Sequence, residues 1–331
     1  MKQLSVDTRI GGLGDVWMRL HALHGMSALT PRLRIRVTVK PEVAEIAHAA
    51  FGSRLTIETQ PGRGAIVFTH RGLSEIGPRI LRGERFSPIF RRTILNDRPE
   101  RSARDLVNDS LYSLFAAAGR VFLTDPRCLE RFSGWLQISG LPPARGIPWE
   151  AARTQLMQDF PAIRARLQAL VPDRPAAGTV IFPSGSSFQV MPPEFAREHF
   201  ADAVFAFHPG DRYQKLLAPH GLKIVHFDTP AAMLALASRA RHLVVTDSFP
   251  SHLLQSYTPR VIVALSHYPR RRIIHPAFDG RIVDSTAPCC PCLTLARKPG
   301  VRCGAGREDC LVWSDAVYLA KLQRTLADSP A

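Results

Sequence analysis

The sequence predicts an α/β fold with two Rossmann-like domains, each built on a parallel β-sheet. Short apolar runs of β-branched residues alternate with helical stretches along 331 residues, as expected when helices cover both faces of a parallel sheet. The alternation pauses in a stretch rich in proline and glycine, residues 171–178, and then begins again. We therefore expect one domain at residues 1–172 and a second at residues 173–331.

In the first half, a strand is expected to lead through a tight glycine turn into a long helix. Arginine alternates with leucine, isoleucine and valine in Leu33–Val39, as in a strand near a sheet edge. Pro161 is expected to interrupt a helix at Ala151–Leu170, because proline lacks the backbone N–H that the helix needs. The other predicted strands are Leu4–Val6, Leu55–Glu58, Ala65–Thr69 and Val121–Leu123, and the other helices are Asp15–Leu29, Glu42–Ala50 and Arg101–Ala118.

The second half repeats the alternation with shorter elements. The predicted strands are Thr179–Phe182, Ala203–Phe207, Lys223–His226, Leu243–Thr246 and Val261–Leu265. The predicted helices are Pro193–Phe200, Tyr213–Pro219, Pro230–Arg239, Ser248–Ser256 and Ser314–Ala327, the last capped by Ser314. Folds of this class bind ligands at the carboxyl ends of their strands, so the loops that follow the strands are the candidate sites.

The chain is strongly basic, with a formal charge of +15, and 37 of its 43 basic residues are arginine. This excess indicates either an anionic partner or a GC-rich coding sequence. An anionic partner fits because guanidinium groups bind phosphate and carboxylate in pairs of hydrogen bonds.

No apolar run reaches the roughly 18 residues of a membrane span. Met1–Val6 leads directly into a strand without an export signal. We expect a cytoplasmic protein, either free or peripheral at the inner face of the membrane.

The turn after the first strand, residues 9–16 with the sequence RIGGLGDV, is the first candidate site. Its glycines let a ligand approach the backbone, and the start of the next helix favours negative charge. Asp15 can accept the proton of an attacking sugar hydroxyl there. The alternative is a simple glycine turn in which Asp15 caps the helix. A dinucleotide fingerprint is excluded, because Trp17 stands where its third glycine is required.

Two strand ends in the second half also carry small polar residues before a helix. Residues 180–194 read VIFPSGSSFQVMPPE, which suits a phosphate-binding nest of backbone N–H groups. Residues 243–252 read LVVTDSFPSH, in which Asp247 or Ser248 would cap a helix whose first N–H groups face a ligand. The alternatives are a plain strand–loop–helix connection in the first segment and a structural role for His252 in the second.

Together the three motifs resemble those of glycosyltransferase family 9, the ADP-heptose:lipopolysaccharide heptosyltransferases. The matching segments are residues 13–16 (LGDV), 182–186 (FPSGS) with 191–193 (MPP), and 247–252 (DSFPSH), in the family's order over about residues 4–325. Two residues depart from the family pattern: Gln189 replaces a lysine that meets the donor phosphates, and Phe249 replaces a glycine. The resemblance implies the GT-B fold, in which two Rossmann-like domains face each other across a cleft.

The resemblance also implies an inverting glycosyltransferase that needs no cofactor for catalysis. Such an enzyme moves a sugar, heptose or a related one, from a nucleotide-diphosphate donor to an acceptor, and an ADP-sugar is the favoured donor. Asp15 is the implied catalytic base. The implied donor-binding residues are Gly12, Gly14, Ser184, Gly185, Ser186, Ser187, Gln189, Asp247, Ser248 and His252.

Arginine is concentrated in the first half between residues 79 and 104. We expect this segment, together with Arg9, to form an acceptor-side surface. The acceptor is a glycan, a lipid-linked sugar or a protein, and an anionic membrane surface is a further possible contact. A solvated basic loop is the alternative. The acceptor-side residues of the segment are Arg79, Arg82, Arg85, Arg91 and Arg92.

Five of the six cysteines fall within residues 289–310. In a reducing compartment such clustering favours a metal over disulfides, and thiolates bind zinc or iron tetrahedrally. The autotransporter heptosyltransferases, in the same broad family, carry a four-cysteine iron site. The spacing matches no standard zinc ribbon, so disulfides and a plain thiol-rich loop are alternatives. The candidate ligands of a structural zinc or iron are Cys289, Cys290, Cys292, Cys303 and Cys310.

Two other functions are open at this stage. One is a GT-B enzyme of the nucleotide-sugar 2-epimerase kind, which needs additional acidic and histidine groups around the nucleotide that the sequence does not identify. The other is a basic nucleic-acid-binding protein with a metal site. The arginines are dispersed through α/β sequence and no nucleic-acid-binding motif is visible, so we expect no nucleic-acid partner.

Overall fold

The computed structural model divides the chain into two compact units, Met1–Pro161 and Ala162–Ala331. The division falls inside a helix at Trp149–Leu170, and the predicted boundary at residue 172 follows the end of this helix. The predicted helix Arg101–Ala118 and strand Val121–Leu123 lie outside the residues that the structure describes. The described residues are 2–9, 12–62, 65–69, 85–88, 147, 149–176, 178–183, 191–211, 213–265, 270–286 and 315–328.

The first unit contains a sheet of parallel strands: β1 Lys2–Asp7, β2 Leu33–Thr38, β3 Leu55–Glu58, β4 Ile66–Thr69 and β5 Arg85–Pro88. Their order is β3-β2-β1-β4-β5, and each neighbouring pair runs parallel. The connections change direction along the sheet between β1 and β4. The carboxyl ends of these two strands are therefore the switch point at which ligands of such sheets bind.

Helix α1, Leu13–Leu29, follows β1, and helix α2, Ala44–Phe51, follows β2. Their contact centres on Trp17 and Phe51, which are fully buried and whose ring centroids lie 5.0 Å apart. The residues of α1 from Val16 to Met26 are all buried. A helix that is buried all round lies inside a protein rather than on its surface, and only its start, at Gly12, is exposed.

Two sequence expectations for this half have different outcomes. The arginine-rich strand β2 is next to the edge strand β3, as expected, and Arg36 pairs with Glu58 of β3 through Nε and Oε1 at 2.9 Å. The expected interruption at Pro161 is wrong, because α3, Trp149–Leu170, is continuous. Pro161 and Met157 are exposed. Water can therefore bind the Met157 carbonyl, whose helical partner would have been the missing N–H of Pro161.

The second unit contains a larger parallel sheet: β6 Thr179–Phe182, β7 Val204–Phe207, β8 Lys223–His226, β9 His242–Val245, β10 Val261–Ala264 and β11 Arg281–Val283. The order is β11-β10-β9-β6-β7-β8, and all pairs are parallel. Counted from β6, this is the strand order 3-2-1-4-5-6 of dinucleotide-binding domains, with its switch point between β6 and β9.

Helices connect these strands: α4 Pro193–His199, α5 Gln214–Leu217, α6 Pro230–Arg239, α7 Phe249–Tyr257 and α8 Arg270–Ile273. A last helix, α9 Ala316–Ala327, follows β11. The cap of α9 is Asp315, whose carboxylate accepts a hydrogen bond from Val317 N at 2.8 Å. The expectation that Ser314 caps this helix is therefore wrong, and a carboxylate is well suited to the positive end of the helix dipole. Within the described part of the chain, no helix is long and apolar enough to span a membrane.

Candidate functional site

The carboxyl ends of β6 and β9 bring together the starts of two predicted donor-binding turns. Phe182 of β6 is aligned with Val245 of β9 in a parallel pair. Beyond this pair, Thr246 N donates to Phe182 O at 3.4 Å. The turn after β6 and the turn after β9 thus start side by side at the switch point. Ser184, Gly185, Ser186, Ser187 and Gln189, which belong to the first turn, lie outside the described residues.

The turn after β9 leads directly into α7, which starts at Phe249. Ser248 is the N-cap residue in an extended conformation, but its side chain makes no capping hydrogen bond. Its hydroxyl donates instead to Thr246 O at 3.1 Å. The start of α7 is thus without a side-chain acceptor from its own cap, and such helix starts attract anions through their N–H groups and the helix dipole.

Asp247 and His252 flank this helix start, and both are almost buried, with exposures of 8% and 5%. His252 N donates to Ser248 O at 3.4 Å, within the first turn of α7. A carboxylate repels phosphate but accepts hydrogen bonds from sugar hydroxyls. Asp247 is therefore chemically suited to the sugar or ribose of a nucleotide rather than to its phosphates.

In the first unit, Asp15 lies in the first turn of α1, just beyond the carboxyl end of β1. Its Oδ2 accepts a hydrogen bond from Gly12 N at 2.9 Å, which is the one half of a capping box that a glycine N-cap can form. Asp15 is partly exposed and Gly14 is buried. Asp15 is therefore not the N-cap residue that the alternative expected, and the helix start is instead stabilised by this hydrogen bond from the Gly12 N-cap. The hydrogen bond occupies Oδ2, and a carboxylate has a second oxygen that can accept a proton.

Arg9 forms a two-point pair with Asp7, the last residue of β1. Its Nε and Nη2 donate to the two carboxylate oxygens at 3.0 and 2.8 Å. The hydrogen bonds that Arg9 donates to Asp7 raise the pKa of Arg9 above its ordinary value. Because Asp7 compensates this charge, an acceptor anion would have to compete with Asp7 for Arg9.

A buried arginine beneath the same turn was not found by sequence reasoning. Arg19 lies one helical turn after Asp15, is 1% exposed, and donates from Nη1 to Thr8 O at 2.9 Å. Burial lowers the pKa of Arg19 to about 10, while attraction to Asp15 and Asp7 opposes this shift. The guanidinium therefore stays charged at neutral pH. An arginine between the apolar residues Met18 and Leu20, within a helix, is the signal that could have identified it.

A second cluster of charged residues ties α3 to the first unit. Asp159, which is 6% exposed, accepts hydrogen bonds from Arg54 Nη1 at 2.7 and 2.8 Å and from Gln155 Nε2 at 2.9 Å. It also lies 3.0 Å from His24 Nδ1. Burial would raise the pKa of Asp159, but the interactions with His24 and Arg54 outweigh burial and hold this pKa below its ordinary value.

An open groove of about 830 Å³, whose lining is more apolar than polar in area, lies beside the carboxyl end of β3 in the first unit. Its lining supplies both donors and acceptors of hydrogen bonds from α2, from the Arg36–Glu58 pair and from the loop after β3. Such a surface suits a hydroxyl-rich molecule. The polar lining residues are Arg36, Glu45, His48, Glu58, Thr59 and Gln60.

The remaining predicted residues lie outside the described structure. They include all five clustered cysteines, Cys289, Cys290, Cys292, Cys303 and Cys310. They also include Arg79, Arg82, Arg91 and Arg92, and of Arg85 only the backbone is described, in β5. Within the described ranges, no group of three histidine, cysteine, aspartate or glutamate side chains is arranged to hold a metal.

Solved structures share this architecture over nearly the whole chain. The E. coli heptosyltransferase WaaC with ADP matches 88% of this chain and 95% of its own, at 14% identity and a TM-score of 0.51. The chain has the GT-B fold. E. coli ADP-heptose lps heptosyltransferase II also matches, at 14% identity with 86% and 90% of the two chains covered and a TM-score of 0.48. The glycosyl transferase family 9 protein of Veillonella parvula matches at 11% identity, 86% and 85% coverage and a TM-score of 0.39.

Comparison of the amino-acid sequence, unlike comparison of the structure, identifies no relative. No family model matches the chain, and no curated protein matches it. The GT-B fold expected from the three short motifs is therefore confirmed by structure alone.

Proposed function

We propose that this GT-B protein is an inverting glycosyltransferase that moves a sugar, heptose or a related one, from a nucleotide-diphosphate donor to an acceptor hydroxyl. The observation that carries this proposal is the pairing of β6 with β9, which brings the starts of the two donor-type turns together at the switch point of the second sheet. The relatives in fold are heptosyltransferases, one of them solved with ADP. On this basis an ADP-sugar is the favoured donor.

The donor diphosphate would bind to the second unit. The N–H groups at the start of α7 and the nest expected at residues 184–187 supply donors, and the helix dipole adds positive potential. Asp247 and His252 would contact hydroxyl groups of the donor. Gln189, where the family has a lysine, contributes an amide instead of a charge. The diphosphate would therefore depend more on backbone N–H groups here than in the family.

Asp15 would act as the general base. In the reaction it takes the proton of the acceptor hydroxyl, whose oxygen forms a bond to the anomeric carbon of the donor sugar. The bond from this carbon to the diphosphate oxygen breaks, and its electron pair leaves with the diphosphate. Because attack comes from the face opposite the leaving group, the configuration inverts. Charge that develops on the diphosphate is stabilised by the N–H groups at the start of α7, without need of a catalytic metal.

The acceptor would bind to the first unit. The groove beside β3 lies at the same sheet edge as the turn that holds Asp15, and the polar side chains in its lining would hydrogen-bond the hydroxyl groups of a glycan. The arginines at 79, 82, 85, 91 and 92 would add positive charge for an anionic glycan, a lipid-linked sugar, an acidic protein or a membrane surface. Arg9 would take part only if an acceptor anion displaces Asp7.

We also propose a structural zinc or iron at the cysteine segment, with four of the five clustered thiols as ligands. The support is the density of thiols and the turns that Pro288 and Pro291 introduce among them. Arg297, Lys298 and Arg302 would offset part of the thiolate charge. The segment precedes α9, so a metal there would hold the chain at the start of this helix.

The test of the proposed transferase starts with donor binding. ADP-, UDP- and GDP-linked sugars are screened by thermal shift, because a ligand that binds only the folded state raises Tm. We expect an ADP-sugar to give the largest shift. Product analysis by NMR with lipopolysaccharide-core, lipid-linked and protein acceptors should then show an inverted anomeric configuration.

Three results would contradict the proposal. A free sugar inverted at C2, formed without an acceptor, would indicate a 2-epimerase. Binding of DNA or RNA that weakens steeply with salt, without any response to nucleotide sugars, would indicate a nucleic-acid-binding protein. Retention of the anomeric configuration would disprove the single-displacement mechanism and the role of Asp15 in it.

A further inference from the structure

Three aromatic rings stand in a row at the carboxyl edge of the second sheet. Phe182 ends β6, His208 follows β7 and Phe227 follows β8. The Phe227 ring centroid lies 5.7 Å from that of Phe182, with the planes at 60°. It lies 6.4 Å from the ring of His208, at 74°. Both are edge-to-face contacts, the favoured geometry of aromatic pairs.

The Phe227 ring lies across the end of β7. The order β6-β7-β8 separates the strands of Phe182 and Phe227 by one strand, yet their rings are in contact. Phe227 N donates to Phe207 O at 2.9 Å, which fixes the backbone beneath the ring. Phe182 is 1% exposed, whereas Phe227 is partly exposed and His208 is exposed. The row is therefore an apolar surface that is buried at the β6 end and opens to solvent over β7 and β8.

His208 is held in place beside this surface. Gly210 N donates to His208 Nδ1 at 3.3 Å, which restrains the imidazole ring. The row begins at Phe182, immediately before the turn expected to bind the diphosphate. Two strand spacings of about 4.8 Å separate β6 from β8. A nucleotide whose phosphates sit at the β6 turn would therefore reach Phe227 through its ribose.

We propose that Phe227, with His208 beside it, forms the platform on which the donor nucleobase stacks. This inference rests on the proposed function, because it takes the diphosphate to bind at the β6–β9 switch point. Stacking tolerates any base, since every base has a π-face. Nucleotides with a larger base should therefore bind the platform more tightly, so a purine nucleotide should bind more tightly than a pyrimidine nucleotide. The platform should discriminate only weakly between two purines.

The experiment compares a ligand that has a base with one that lacks it. Calorimetric titration measures the Kd of ADP and of inorganic pyrophosphate for the wild type, Phe227→Leu, His208→Ala and His220→Ala. His220 is the matched control, a partly exposed histidine before β8, at the opposite edge of the sheet. We expect Phe227→Leu to weaken ADP binding about tenfold, within the range that loss of one stacked ring produces, with pyrophosphate unchanged. His208→Ala should weaken ADP binding less, and His220→Ala should leave it unchanged.

The outcomes separate this inference from the proposed function. If the wild type binds neither ADP, UDP nor pyrophosphate, the proposed function fails. If the wild type binds ADP and Phe227→Leu binds it equally well, only the platform fails. An equal loss of ADP and pyrophosphate affinity in Phe227→Leu would show a structural role and overturn the inference.

A measurement on the wild type covers the case in which Phe227→Leu does not fold. In saturation-transfer NMR with ADP, the adenine H2 and H8 protons should receive more saturation than the ribose protons, because the base lies against the rings. The opposite ratio would overturn the platform. Competition between ADP and GDP should give Kd values within a few fold of each other, and a large preference for one purine would contradict stacking as the basis of recognition.

Discussion

Gly12 donates its backbone N–H to Oδ2 of Asp15 across 2.9 Å. The carboxylate proposed as the base of the reaction is therefore also a structural cap of α1, and a variant must separate the two roles. Asp15→Asn does so, because the amide oxygen can still accept from Gly12 N while the amide cannot take up a proton. We expect turnover to fall by about two to four orders of magnitude, with Tm and donor affinity almost unchanged.

The matched variant is Asp15→Ala, which removes both roles. It should lose turnover to the same extent and, in addition, about 1 kcal/mol of the free energy of unfolding, as caps of this kind contribute. Steady-state rates and urea unfolding on both variants check the prediction. Near-wild-type turnover of Asp15→Asn would remove Asp15 from the mechanism.

The second prediction concerns Ser248, which occupies the N-cap of α7 without capping it. An aspartate at this position would interact favourably with the helix dipole, by about 0.5 kcal/mol, but its charge would oppose a bound diphosphate. Ser248→Asp should therefore raise Tm slightly and weaken ADP binding by at least about tenfold. Ser248→Asn is the control of equal shape and no charge, and it should bind ADP nearly as the wild type does. If both variants bind ADP equally, the diphosphate is not near the start of α7.

Sequence patterns predict the central strands of this fold well, and the reason is burial. Thr179–Phe182, at the centre of the second sheet, agrees with the structure at both ends, and so does the helix Pro230–Arg239. Strands covered on both faces appear as short apolar runs, which a sequence shows directly. The strand Arg281–Val283 was missed because it has three residues and only partial burial, and its pairing with Ile262–Ala264 defines it.

The candidate site could be predicted in its parts but not as a whole. Each turn is a local strand–turn–helix signal, which is why the sequence identifies Asp15, Asp247 and Ser248 as candidates. The alignment of Phe182 with Val245 joins strands that are far apart in the sequence, and no local pattern contains it. The same holds for Arg19 and Thr8, whose hydrogen bond depends on how α1 packs beneath the turn.

The third prediction concerns the pH dependence of stability. Asp159 has a pKa below its ordinary value, so its contribution to stability is present above the unfolded-state pKa of about 4 and is lost as pH falls through the folded-state pKa. Asp159→Asn should lower the free energy of unfolding near pH 7 by about 3 kcal/mol, since it leaves Arg54 and His24 without their carboxylate. The difference from the wild type should narrow below about pH 4.

Urea unfolding from pH 3 to pH 7 measures this difference. Glu58→Gln is the control in the same unit, because the side chains of Arg36 and Glu58 are 42% and 24% exposed. An exposed pair of this kind contributes less than about 1 kcal/mol. A pH-independent loss in Asp159→Asn would show that packing, and not the charge of Asp159, stabilises the cluster.

The last prediction concerns the cysteine segment. If four of the five clustered cysteines bind one metal, protein purified without chelator should contain one equivalent of zinc or iron by elemental analysis. At most two of the six thiols should then react under native conditions, and all six should react after denaturation with a chelator. Cys128→Ser, outside the cluster, should leave the metal content unchanged.

Removal of the metal should lower Tm, because the binding energy of a structural metal contributes to the free energy of folding. The Kd of ADP, measured at a temperature where the metal-free protein stays folded, should not change. Well under one equivalent of metal with all six thiols reactive in the native state would disprove the site, and thiols that appear only after reduction would indicate disulfides instead.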